Sequence, residues 1–109
     1  MVIQLGSNGM GRGDAELGKK LMKSFLNVLQ EVDEIPSAVV LFNTGVFLAC
    51  EGSDVLEPLK DLEEAGVALL SCGTCINHFN LEDKLKVGKI SDMFEITNTM
   101  INADKVVSI

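Results

Sequence analysis

The chain has 109 residues, 47% hydrophobic and 23% charged, with a formal net charge of −7. That is the size of one domain able to hold a core without disulfides or metal, and the composition is not that of a disordered chain. Nine scattered basic residues argue against a nucleic-acid backbone or an anionic membrane as partner, since both recruit concentrated Lys and Arg.

The N-terminus lacks the basic start and long apolar stretch of a signal peptide. No apolar run approaches the ~20 residues of a membrane helix. The expectation is a cytoplasmic protein. Three cysteines, Cys50, Cys72 and Cys75, in such a reducing setting suit redox, catalytic or metal-binding use more than structural disulfides.

Val2 to Leu5 reads as a first strand, ending in the glycine-rich turn Gly6 to Gly13. Asp14 is a good helix cap. Leu17, Leu21, Phe25, Val28 and Val32 recur at helical spacing and are expected to form one apolar face of a helix ending near Val32. The continuous apolar run Ala38 to Phe42 suits a parallel strand covered on both sides. Asn43-Thr44-Gly45 forms a turn, and Val46 to Cys50 a short helical or irregular excursion. A second helix is expected over about Asp54 to Ala65, with Asp54 and Glu57 at capping-box spacing and Gly66 as its stop. Val67 to Leu70 is the third strand. Short helical structure follows over Ile76 to Asp83, and Leu85 to Val87 is a weak strand candidate. Ser91 or Asp92 caps a further helix to about Asn102, with Met93, Ile96, Met100 and Ile101 inward. Lys105 to Ile109 closes the chain as a strand. The alternation predicts one α/β domain over residues 1–109, with a parallel sheet and right-handed crossovers.

The most informative segment is Ser71-Cys72-Gly73-Thr74-Cys75, at the end of the third strand. Parallel sheets present ligands at carboxyl ends of strands, and the glycine loop and Asn43-Thr44-Gly45 fall at two other such ends. The connectivity therefore gathers three loops into one candidate site. A helix entry beside Cys72 would favour its thiolate, the nucleophilic form. The alternative is two small half-buried residues filling a tight turn. Cys72-x-x-Cys75-x-x-His78 has metal-ligand spacing, yet a zinc site wants a fourth ligand or three plus water, and only Cys50 is left to offer. No metal is expected. The glycine loop lacks a third glycine at dinucleotide spacing and lacks Gly-Lys-Ser/Thr, so no nucleotide cofactor is expected. Gly11, Arg12 and Gly13 either cradle a small anion or form a mobile loop with a solvated arginine. Asn43 and Gly45 either contact a ligand or simply form a turn. Thr74, between the two thiols, joins the candidate ligand contacts. Cys50 is expected to be buried.

Gly11-Arg12-Gly13-Asp14-x-Glu16-Leu17-Gly18-x-x-Leu21-Met22, Asn43-x-Gly45-Val46, Glu51-Gly52-Ser53 and Leu70-Ser71-Cys72-Gly73-Thr74-Cys75 together resemble the DsrE family of small sulfur-relay proteins. The resemblance spans nearly the whole chain and is nearest to the YedF branch, which is sulfurtransferase-like and linked to selenium metabolism. It implies a three-layer α/β/α fold with a mainly parallel five-stranded sheet, and a homo-oligomer between dimer and hexamer. It also implies a persulfide on one cysteine after a central strand, which by position is Cys72. Cys75 has no counterpart in the simplest members. Implied partners are sulfur-donor and sulfur-acceptor proteins, among them TusA-like ones. The leading expectation is a persulfide carrier using Cys72 with Cys75, its sulfur reachable at the rim of the sheet. A thiol-disulfide redox module and a non-catalytic subunit of a sulfur-relay assembly are the alternatives.

Overall fold

The computed structural model describes residues 1–109. Its strands are β1 (Val2–Leu5), β2 (Ala38–Leu41), β3 (Ala68–Cys72), β4 (Lys89–Ser91) and β5 (Val106–Ser108). Between them lie α1 (Ala15–Val28), α2 (Leu56–Glu64), α3 (Gly73–His78) and α4 (Met93–Ile101), with a 3₁₀ segment over Asn43–Ala49. The five strands form one sheet in the order β4-β3-β2-β1-β5, and every neighbouring pair is parallel.

That order fixes which side each helix takes. The chain steps in one direction from β1 to β4, then returns across the sheet to β5. Right-handed crossovers send helices from opposite directions of travel to opposite sides. Side-chain alternation along the strands shows the result. Ile3, Leu5, Val39, Leu41 and Leu69 join Met22 and Leu26 of α1 and Leu59 and Leu62 of α2 in a cluster of 19 buried residues. The alternate positions Val2, Ala38, Val40, Leu70 and Cys72 join Ile96 of α4 in a cluster of 6 buried residues, with Met100 and Ala103 among the partly buried side chains packed against it. The fold is thus α/β with three layers, one side of the sheet thickly covered and the other thinly. No helix is long and apolar enough to cross a membrane.

The expected α1 face is corrected. Leu17, Leu21, Val28 and Val32 are exposed and Phe25 is half-buried; Gly18, Met22, Leu26 and Leu29 turn inward instead. The two stripes lie one residue apart, so both have helical period. Contact with the preceding loop decides between them: the Met10 N–H donates to the Gly18 carbonyl at 2.9 Å. A Cβ on Gly18 would stand 3.3 Å from the Met10 oxygen, so the stripe carrying that glycine faces the loop.

Other boundaries also move. The Asp54–Glu57 capping box does not form. Residue Val55 caps α2 without a side-chain bond, and Ser53 Oγ accepts from the Val55 N–H. Leu85 makes only an isolated antiparallel bridge to Cys50, and the strand falls at Lys89–Ser91, where Ser91 was expected to cap a helix. Asp92 does that, accepting from the Glu95 N–H at 2.8 Å. On α4 only Ile96 is fully buried; Met93 and Ile101 face solvent. Short helical structure starts earlier than expected, at Gly73 rather than Ile76.

Candidate thiol site

β3 ends at Cys72, which pairs with Ser91 at the end of β4. From there the two connections part. β3 runs into α3, whose Ile76 packs in the thick layer, while β4 runs into α4 on the thin side. Neighbouring strands whose connections leave to opposite sides open a crevice at their carboxyl ends. The cysteine segment stands at that switch point.

Gly73 makes the turn possible. A Cβ there would lie 2.9 Å from the Ser91 carbonyl oxygen, so only glycine lets the start of α3 pass so close to β4. The Asn43 loop has a similar requirement: a Cβ on Gly45 would meet the Leu5 oxygen at 2.2 Å. Gly45 is buried and brings the ends of β1 and β2 into contact, reinforced by the Asn8 N–H donating to Thr44 Oγ1 at 3.3 Å. Asn43 itself has a positive φ of 51°, which asparagine tolerates better than most residues. In that conformation its N–H donates to Cys75 Sγ at 3.0 Å. Three strand ends are therefore linked through Asn8, Thr44, Asn43 and Cys75, as the connectivity predicts.

The two thiols differ in access. Cys72 is 1% exposed and packed among Val40, Leu70 and Ile96. Cys75 is half-buried and packs against both clusters. Burial raises the Cys75 pKa above that of an ordinary thiol; the Asn43 N–H pulls the other way, and the adjoining Cys72 thiol raises it further. The expectation of a reachable Cys72 sulfur at the rim is thus corrected: the reachable sulfur is Cys75. The physical reason is strand parity. Leu70 and Cys72 sit two apart on β3, so both point into the thin layer beneath α4. Ser71 points the other way, fully buried, with an unpartnered hydroxyl.

The remaining candidates scatter. Arg12 is exposed between Gly11 and Gly13, both at positive φ, and its guanidinium makes no ion pair or hydrogen bond. Thr74 is exposed on the first turn of α3. His78 stands exposed at the end of α3 with its ring edge-on to Phe79. No group of three or more His, Cys, Asp or Glu side chains is arranged to hold a metal. Cys50 is buried, its thiol pushed up by desolvation. A cavity of about 370 Å³ is lined by Asn8, Lys19, Phe47, Glu51 and Ser53 among others and contains neither Cys72 nor Cys75.

The sequence model of the DsrE/DsrF-like family matches residues 7–109. The chain belongs to the DsrE/DsrF-like family. No curated protein matches it. Among solved structures, this DsrE/DsrF-like chain is similar to MTH1491, a protein of unknown function from Methanobacterium thermoautotrophicum, at 18% identity and a TM-score of 0.70, covering 99% of this chain and 96% of that one. It is similar to the ychN protein from E. coli at 13% identity and a TM-score of 0.69, covering 99% and 97%. A third is BT1422 from Bacteroides thetaiotaomicron, of unknown function, at 15% and 0.63, covering 99% and 93%. At these identities the likeness is one of fold. Members of the family are in general connected with sulfur relay.

Proposed function

We propose that this protein is a sulfurtransferase-like carrier that relays sulfur between proteins in the cytoplasm, with Cys75 as the thiol that meets donor and acceptor. The observation that carries the reading is the half-buried Cys75 sulfur, joined to the Asn43 N–H at 3.0 Å and adjoining a second thiol. The chemistry is thiolate attack on a sulfane donor. The Cys75 thiolate bonds to the donor's outer sulfur, the donor S–S bond breaks, and the donor leaves as a thiolate. A persulfide then stands on Cys75. An acceptor thiolate attacks its outer sulfur and regenerates Cys75. The resemblance gives the carrier role to Cys72; the sealed position of that side chain supports Cys75 for every step that involves a second molecule. Selenium in place of sulfur follows the same steps. A TusA-like protein is a fitting donor or acceptor.

Homo-oligomerisation belongs to the same reading. Phe94 and Ile101 on α4 are 78% and 73% exposed, on the thin side of the sheet. Large apolar side chains of this kind suit a covering subunit.

The test is intact-mass measurement after the reduced protein is incubated with inorganic polysulfide and desalted at once. A gain of sulfur is expected in a Cys72→Ser variant and none in Cys75→Ser. Absence of any gain, or an equal gain in Cys75→Ser, overturns the assignment.

A further inference from the structure

We propose that the pair also reduces its cargo: Cys72 resolves a persulfide on Cys75, closing a Cys72–Cys75 disulfide and expelling hydrosulfide. This rests on the reading of Cys75 as the sulfur-bearing thiol. Three observations carry it. Cys72 is 1% exposed, beneath α4, so no donor or acceptor protein reaches its sulfur. Its cluster packs against Cys75, and the two thiols adjoin. Finally, Cys72 is the N-cap of α3 and Cys75 the third residue of the first turn. The Cys72 side chain makes no cap bond to the helix backbone, and the Cα atoms of an N-cap and the third helical residue are roughly 5–6 Å apart, within the disulfide range. A thiol that no outside molecule can meet, aimed at one that they can, is placed for an internal reaction.

The step balances. The Cys72 thiol attacks the Cys75 sulfur, not the outer one. The bond between Cys75 and the outer sulfur breaks, and the outer sulfur leaves as hydrosulfide carrying the proton from Cys72. The two cysteine sulfurs are oxidised by two electrons in all, and the sulfane sulfur is reduced to the sulfide level. An external dithiol returns the pair: its thiolate attacks the reachable Cys75 sulfur, Cys72 departs as thiolate and takes up a proton, and the dithiol closes as its own disulfide. The product is hydrosulfide rather than a protein-bound persulfide, so the thiol pair decides whether cargo is handed on or discharged.

The experiment loads the full chain with inorganic polysulfide, desalts it, and follows free hydrosulfide and intact mass with no thiol added. The wild-type chain is expected to discharge its sulfur and end two hydrogens lighter than the reduced form. Cys72→Ser and Cys72→Ala are expected to hold the extra sulfur, discharging at least about tenfold more slowly until dithiothreitol is added. The alanine form keeps the apolar surroundings if serine perturbs the core. Cys50→Ser is expected to match wild type. Discharge from both Cys72 variants at the wild-type rate overturns the inference, as does a wild-type chain that keeps its sulfur on Cys75 and closes no disulfide; in either case the carrier reading stands. No adduct on any variant overturns both.

Discussion

The two sides of the sheet are built unequally. One is covered by α1, α2 and the 3₁₀ segment, and gathers 19 buried residues. The other is covered by α4 alone, gathers 6, and leaves Phe94 and Ile101 in solvent. The difference follows from strand order, since three forward crossovers serve one side and a single return crossover serves the other. It bears directly on chemistry. Cys72 belongs to the thin side, and Cys75 sits where the two sides meet, so the candidate site lies at the edge of the weaker layer. A stable scaffold and an accessible site need not compete when they occupy different layers.

Truncations on the two sides should separate most. Leu59→Ala, at a fully buried position in the thick layer, is expected to cost about 3–5 kcal/mol, and Ile96→Ala about 2 kcal/mol, because a site under one short helix collapses more easily around a cavity. Urea unfolding of both variants checks this; equal losses would mean that the layers pack alike. The next contrast is between the thiols. Alkylation of the folded protein by iodoacetamide is expected at Cys75 well before Cys72. Since the Cys75 pKa is raised, chiefly by burial, the thiol form dominates at neutral pH. Its rate should keep climbing as pH rises past the range of an ordinary thiol. A plateau at neutral pH would show a stabilised thiolate instead. The smallest effect is expected at the rim of the thin side. Phe94→Ser should change the stability of an isolated subunit by no more than about 0.5 kcal/mol, yet lower the sedimentation coefficient if a second copy covers α4. An unchanged coefficient would count against that covering.

Much of this is legible in the sequence. Continuous apolar runs at Ala38 to Phe42 and Val67 to Leu70 identified central parallel strands, because strands buried on both sides have no polar alternation. Asp14 was readable as a cap, and Asp92 as one of two candidates beside Ser91, since a carboxylate before a helix meets the free N–H groups of its first turn. The meeting of the loops after β1, β2 and β3 also followed from connectivity. What failed did so for definable reasons. The stripe of Leu17, Leu21 and Val28 has the right period but loses to its neighbour, which carries Gly18. The sheet's β4 was hidden because three residues, Lys89–Ser91, are too few to show a pattern. The parity of Leu70 and Cys72 puts both on one side of the sheet, but parity alone does not say what covers that side, so the reachability of Cys75 over Cys72 stayed hidden.

Spacing along the chain settled that two thiols would stand at the end of a central strand beside a turn of glycines, since those properties depend on neighbours a few positions apart. Which sulfur meets solvent was decided elsewhere. It depends on α4 crossing back over the sheet to roof Cys72, and on Asn43, 32 positions before Cys75, being folded against it. Burial is a sum over distant segments, and only the closed fold fixes which of them arrive.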